Sequence, residues 1–214
     1  ERITGQLGDA RLDRILLTSR RFPVSGGAAH VSQAFSDAPV HIHSAGQAAL
    51  ETGDFFTTWA NRYDSDMPRT STHGLSEGDV FPLGEGEVVV VHLPGHTNDG
   101  LGFHLPHLST LVVGALLPRA DRPTRWDLPG GSLLDVVKSL KRIRRMKLSS
   151  LVPLQGPAIR GTDHVKDVLD RHLRFYEEAV QNDGRPPTSW ERPASTAVWL
   201  TPRTPWPLEE QESV

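Results

Sequence analysis

The chain has 214 residues, of which 37% are hydrophobic and 23% charged, and this is enough to bury the core of one globular domain. Its formal net charge of −3 excludes a strongly basic protein that gathers nucleic acid or coats an anionic membrane. The absence of cysteine excludes disulfides, iron–sulfur clusters, thiolate metal sites and a cysteine nucleophile, so any metal ion needs His, Asp or Glu ligands.

The first part of the chain alternates short apolar runs with alanine-rich segments. Residues 12–18 form an apolar run typical of a buried strand, and a short helix is expected between Gly26 and Phe35. Residues 39–43 predict a second strand and residues 47–52 a second helix. The polar residues 64–78 are expected to form a long surface loop. This β-α-β-α alternation predicts an α/β arrangement in which helices pack on a sheet.

From about residue 79 the hydrophobic pattern of the chain changes to that of short successive strands. Four strand-like runs separated by turns predict a β-meander, at residues 80–83, 86–93, 102–105 and 110–117. Ser132 followed by Asp135 resembles a capping box at the start of an amphipathic helix. Residues 151–153 predict a short strand and residues 162–180 a second amphipathic helix.

The composition changes once more near residue 184. Residues 1–183 are interpreted as one domain, whereas residues 184–214 are rich in proline and tryptophan and are expected to form an extended surface arm. Its side chains Trp190, Trp199 and Trp206 are costly to leave exposed, so they are expected to pack on the domain or on a partner.

Five short motifs within residues 12–161 resemble, in order and spacing, those of the metallo-β-lactamase superfamily. They are Ile15-Leu16-Leu17-Thr18, Gly26-Gly27, Leu93-Pro94-Gly95-His96-Thr97, Leu111-Val112-Val113-Gly114 and Leu151-Val152-Pro153 with Gly156-Pro157. The resemblance implies an α/β fold, the metallo-β-lactamase-like αββα sandwich, here lacking the N-terminal strands that precede the first motif in that family. It also implies hydrolysis of esters, thioesters, lactams or phosphodiesters by water activated on one or two metal ions.

Most of the metal ligands that the resemblance implies are missing. Six ligand positions carry other residues, namely Ser19, Arg21, Pro23, Val24, Ala115 and Gln155. Only His96 keeps the expected ligand. A guanidinium repels a dication, and proline and valine have no side-chain donor atom, while a structural zinc site takes about four ligands. The resemblance therefore implies a dismantled dinuclear site with no metal, no cofactor and no catalytic residue.

We therefore expect a pseudoenzyme, that is, a non-catalytic metallo-β-lactamase-fold protein that binds a ligand or serves a structural role. The former active-site cleft is expected to be lined by Ser19, Arg20, Arg21, His96 and Gln155, where the arginine pair could bind a small anion in place of the metal. Two simpler interpretations stay open. The arginines could pair with neighbouring carboxylates, and His96 could make internal hydrogen bonds in its turn.

Two further functions remain as alternatives. The first is a metal-dependent hydrolase with a mononuclear site rebuilt around His96, although strand alternation makes convergence of enough ligands improbable. Its candidate additional ligands are His92, His104, His107 and Asp99. His41 and His43 alternate along one strand and are expected to point to opposite faces. The second alternative is a protein-interaction module that uses the C-terminal arm or the bare N-terminal sheet edge, with a homo-oligomer or partner chain covering that edge.

Nucleic acid and membranes are not expected as partners. Arg142, Arg144, Arg145 and Lys147 follow one another near the end of the first amphipathic helix, where cations complement the helix dipole and form a solvated face. No apolar run reaches the roughly 18 residues that span a bilayer, and the first residues show no signal-peptide pattern. We expect a soluble, cytoplasmic protein.

Overall fold

The computed structural model describes residue 5, residues 11–185 and residue 187. It divides into two compact units, residues 1–76 and residues 77–214, and each unit is described by itself. Almost all of the predicted C-terminal arm, including its three tryptophans, lies outside the described residues.

The first unit contains three short parallel strands joined through helices. In spatial order the strands are β1 (Ile15–Leu16), β2 (Val40–His43) and β3 (His73–Leu75). The helices are α1 (Phe22–Ser25), α2 (Ala28–Ala34) and α3 (Ser44–Thr52). Parallel neighbours need a crossover, and helices provide it here. Ile42 and Leu50 are completely buried between this sheet and its helices, which confirms the predicted β-α-β-α alternation.

Strand β3 corrects the prediction of one long loop over residues 64–78. It has three residues, of which His73 and Gly74 are exposed and only Leu75 is buried, so the sequence carries no alternating pattern to reveal it. Gly74 lets β3 approach α3 closely, because a Cβ atom there would lie 2.6 Å from the Gln47 side-chain oxygen. The strand forms because its backbone pairs with β2, which is a tertiary effect.

The second unit contains a six-stranded sheet. In spatial and chain order its strands are β4 (Val80–Leu83), β5 (Gly86–His92), β6 (Leu101–Leu105), β7 (Thr110–Gly114), β8 (Ser150–Pro153) and β9 (Ile159–Arg160). Strands β4 to β7 are antiparallel, which confirms the predicted meander. Strand β8 runs parallel to β7, and β9 is a two-residue strand that the sequence did not predict.

Two amphipathic helices complete the second unit, α4 (Leu133–Arg145) and α5 (Thr162–Gln181). The Ser132 Oγ accepts a hydrogen bond of 3.3 Å from the Asp135 amide, so the predicted helix start is confirmed. The inward face of α4 carries Val136, Leu140 and Ile143, all fully buried, and each contributes about 1.5–3 kcal/mol by burial. Within the described residues, no helix is both long enough and apolar enough to cross a membrane.

The turn after β5 fixes where α4 begins. The Ser132 amide donates to the Gly95 carbonyl at 2.9 Å, and the Ser139 hydroxyl donates to the Pro94 carbonyl at 2.7 Å. Gly95 has φ +140°, and a Cβ atom there would lie 2.6 Å from the Val136 backbone nitrogen. Only glycine allows this backbone conformation together with this close approach.

We expect Gly95→Ala to destabilise the protein more than Gly78→Ala. Gly78 also has positive φ, but a Cβ atom added there would meet nothing within 4 Å, so its variant should lose only about 1–2 kcal/mol through backbone strain. The overlap with α4 should cost Gly95→Ala about 1–3 kcal/mol more. Urea unfolding of both variants measures the difference, and equal losses would contradict this account of the turn.

Candidate functional site

Residues 19–21, where the resemblance implies the start of the first ligand run, form a buried turn that leads into α1. Ser19, Arg20 and Arg21 are only 1%, 4% and 2% exposed. The Arg21 amide donates to the Ser19 hydroxyl oxygen at 3.2 Å, and the Ser25 hydroxyl donates towards the carbonyls of Arg20 at 2.7 Å and Arg21 at 3.1 Å. The polar groups of this turn therefore support one another.

Arg21 fastens this turn to the segment that follows α3. Its Nη1 donates to the Thr57 carbonyl at 2.9 Å, and the neighbouring Phe22 amide donates to the Thr58 carbonyl at 2.8 Å. The Phe22 ring lies 5.5 Å from the Tyr63 ring, measured between centroids. Arg21 therefore stabilises the contact between this turn and residues 57–58.

Arg20 faces a carboxylate of the same unit. Hydrogen bonds from the Thr57 hydroxyl and amide hold the pKa of Asp54 below its ordinary value, and the positive charge of Arg20 lowers that pKa further. For Arg20, this electrostatic relation agrees with the interpretation in which it pairs with a neighbouring carboxylate. Binding of an anion by Arg20 and Arg21 stays a prediction.

The remaining histidine of the ligand set, His96, lies half-buried in the second unit. Its Nδ1 is 3.0 Å from the Arg125 carbonyl oxygen and 3.0 Å from the Thr124 Oγ1. Because a carbonyl can only accept, Nδ1 carries the proton, and Nε2 is the unprotonated nitrogen of the neutral ring. The internal hydrogen bonds expected for the Pro-Gly-His-Thr turn are therefore present.

Thr124 links His96 to another lost ligand position. Its hydroxyl donates to the Ala115 carbonyl at 2.7 Å, and Ala115 stands where the superfamily carries an aspartate. Gln155, at the position where the resemblance implies the late histidine, is exposed. Its backbone amide donates to the Pro118 carbonyl at 2.9 Å. Positions 96, 115 and 155 belong to the same unit. Among the hydrogen bonds described here, Thr124 is shared by His96 and Ala115 and does not reach Gln155.

Two buried polar residues of α5 form hydrogen bonds with the loop between β7 and α4. The sequence alone did not indicate this role for them. The Tyr176 hydroxyl accepts from the Thr124 amide and donates to the Thr124 carbonyl, and the His172 Nε2 donates to the Ala120 carbonyl at 3.0 Å. Both side chains are completely buried. Burial raises the pKa of Tyr176 and lowers the pKa of His172 to about 4. The sequence signal for this role is that His172 and Tyr176 lie four residues apart, which places both on the buried face of α5.

The residues present do not fit the metal that the fold family implies. Within the described part of the chain, no group of three or more His, Asp or Glu side chains is placed to hold an ion. Pro23 occupies the first turn of α1, where a proline is well accommodated, and it offers no donor atom, like Val24.

The histidines proposed for a rebuilt site have other neighbours. The His92 Nε2 lies 2.9 Å from the Asn98 carbonyl oxygen, and His107 packs against Gly86. In the first unit, the His43 Nδ1 accepts from the Ala45 amide at 3.1 Å, whereas the His41 ring lies 5.1 Å from the His73 ring. His41 and His43 therefore have separate partners, as strand alternation predicts.

Comparison with known proteins identifies the fold family. The model of the metallo-beta-lactamase superfamily matches residues 25–155. The chain belongs to the metallo-beta-lactamase superfamily. Among solved structures, the BLEG-1 B3 metallo-beta-lactamase has a TM-score of 0.63 at 23% identity, covering 72% of this chain and 74% of that one. The resemblance inferred from the motifs and the α/β fold class are both confirmed.

Two curated relatives share parts of the sequence. An uncharacterized protein of Aquifex aeolicus is 42% identical over 69 residues, which are 32% of this chain and 32% of the relative. The acyl-coenzyme A thioesterase MBLAC2 of Gallus gallus is 28% identical over 151 residues, or 63% of this chain and 52% of the relative. The chain thus spans between a third and about half of these relatives.

We expect His172 to make the stability depend on pH. The unfolded chain binds a proton near pH 6.5, whereas folded His172 does so only near pH 4, so stability should be retained above pH 6.5 and lost as the pH falls towards 4. Each pKa unit corresponds to about 1.4 kcal/mol, and the loss at pH 4.5 should approach about 2–3 kcal/mol.

Urea unfolding at pH 7.5 and 4.5 measures this loss. His172→Gln should reduce it, because the substituted side chain does not titrate. An identical pH dependence in the variant and the unsubstituted chain would contradict the role given to His172.

Proposed function

We propose that this superfamily member is a pseudoenzyme, a non-catalytic protein that uses the metallo-β-lactamase fold for binding or for structure. The observation that carries the proposal is the buried Arg21 guanidinium, which stands at a ligand position and donates to the Thr57 carbonyl. A divalent cation at this position would meet a fixed positive charge instead of an imidazole lone pair.

The surrounding replacements support the proposal. Ser19 and Ser25 are engaged in the hydrogen bonds of the turn, and Ala115 has no side-chain ligand atom. Water activation by zinc depends on several protein ligands that hold the ion and leave one position open. One imidazole supplies only a fraction of the binding free energy of such a site.

One observation favours a second candidate, a hydrolase with a mononuclear site built on His96. The Nδ1 hydrogen bonds leave Nε2 as the unprotonated ring nitrogen, and metal-binding histidines are commonly oriented in this way by a carbonyl or carboxylate. The name of the MBLAC2 relative makes acyl-coenzyme A the first substrate class in which to seek hydrolysis.

Metal content separates the two candidates. For the chain purified without chelator from medium containing zinc, iron and manganese, we expect about one-tenth of an ion per chain or less by inductively coupled plasma mass spectrometry. His96→Ala and the matched change His107→Ala should both leave that value unchanged.

The opposite result would establish the hydrolase. About one ion per chain, lost in His96→Ala but kept in His107→Ala, would contradict the pseudoenzyme, as would chelator-sensitive hydrolysis of an acyl-coenzyme A.

The ligand class proposed for the first unit is a small anion at Arg20 and Arg21. Small carboxylates such as oxalate should raise the melting temperature of the unsubstituted chain by a thermal-shift measurement, and the shift should disappear in the Arg20→Ala/Arg21→Ala double variant. Because both side chains are buried, the variant will melt lower without ligand, so only the ligand-induced shift is informative. If the double variant shows the same oxalate-induced rise in melting temperature as the unsubstituted chain, anion binding by Arg20 and Arg21 is contradicted.

A further inference from the structure

A cavity lies within the unit formed by residues 77–214, well away from positions 115 and 155 of that unit. It has a volume of about 460 Å³, and its lining includes Ser109 and Ser149, which precede β7 and β8. Ala115 and Gln155 follow the other ends of the same strands. With a rise of about 3.3 Å per residue, the two ends of a five-residue strand lie roughly 15 Å apart. We call this cavity the basic pocket.

The lining of the basic pocket is strongly cationic. Arg144, Arg145, Lys147 and Lys166 line it, and no carboxylate among the described residues does. Arg144 pairs with Asp170 at 2.6 Å. Within the described residues, Arg145, Lys147 and Lys166 form no ion pair, so three of the four cations that line the pocket are unpaired.

The other cations of α4 are matched by carboxylates. The pairs are Lys138 with Asp135 at 3.4 Å, Lys141 with Glu177 at 2.7 Å and Arg142 with Glu77 at 2.5 Å. Of the five cations of α4, only Arg145 therefore lacks an ion pair within the described residues, so the unpaired charge of this helix lies at the pocket.

Helix dipoles do not account for this unpaired charge. The C-terminal end of α4 carries about half a negative charge, and the N-terminal end of α5, which begins at Thr162 in the lining, carries about half a positive charge. The two nearly cancel, and three cations remain. Gly161, the N-cap residue of α5, supplies no side-chain cap, and the first turn of the helix carries one acidic residue, Asp163.

The floor of the pocket is apolar. Leu148, Val165 and Leu169 are core residues no more than 3% exposed, and Met146 is partly buried beside them. Concave sites of a few hundred cubic ångströms with an apolar floor and a few polar groups are typical of small-molecule sites. A duplex nucleic acid is instead read by an extended basic stripe.

We propose that the basic pocket binds an organic phosphate monoester. The phosphate contacts Arg145, Lys147 and Lys166 near the start of α5, and the organic substituent covers the apolar floor. Phosphate is favoured because its oxygens accept several charge-assisted hydrogen bonds at once. This site is separate from Arg20 and Arg21, which belong to the other unit.

The proposal can be tested by isothermal titration calorimetry with hexyl phosphate. Binding to the unsubstituted chain should be saturable and at least about tenfold tighter than binding of inorganic phosphate, because only the ester covers the apolar floor. The Lys147→Gln/Lys166→Gln double variant should lose about tenfold or more in affinity.

A matched control isolates the pocket. Lys138→Gln/Lys141→Gln also removes two positive charges, at the paired positions of α4, and should keep the affinity for hexyl phosphate. The four lysines are exposed, so the lysine variants are expected to fold.

Three results would overturn the proposal. The first is the absence of saturable binding of hexyl phosphate. The second is equal loss of affinity in both lysine double variants, which would indicate a diffuse charge effect. The third is tighter binding of a short DNA duplex than of hexyl phosphate, which would assign the surface to nucleic acid.

Discussion

A buried guanidinium has to be satisfied by hydrogen bonds or by a counter-charge, and in the first unit this constraint fixes the turn before α1. Arg21 is 2% exposed, and its Nη1 meets part of this demand by donating to the Thr57 carbonyl. The contact holds residues 19–22 against residues 57–58, and Asp54 in turn fixes that segment by accepting from Thr57. The turn where the resemblance implies the first metal ligands is thereby part of the framework of the unit.

In the second unit, a hydrogen-bond network joins His96 to the loop between β7 and α4. His96 is held through Nδ1 by the Arg125 carbonyl and by Thr124, and the same threonine hydroxyl donates to the carbonyl of Ala115. Tyr176 fixes Thr124 from α5. This network stabilises the loop whether or not an ion is present, so a histidine can be retained for its structural value alone.

How much of this could be predicted from sequence depends on the range of the interactions. Helix α4 was predictable because its apolar stripe and its cap at Ser132 are local features. Strand β3 was not, because its three residues are strand only by pairing with β2. The lost ligand positions follow from residue chemistry once the motifs are aligned, whereas the burial of Arg21 and the anchoring of Thr124 by Tyr176 join residues 36 and 52 positions apart.

The distribution of charge separates the two ends of the second sheet. At the ends of β7 and β8 that carry Ala115 and Gln155, neutral side chains stand where ligands would be, and backbone carbonyls are bonded within the unit. At the other ends, three cations that form no ion pair within the described residues line one pocket, although the chain as a whole is negative. Like charges held together lower stability unless something offsets them. Because the other cations of α4 are paired with carboxylates, the unpaired Arg145 at the end of this helix, together with Lys147 and Lys166, supports the proposed anionic ligand.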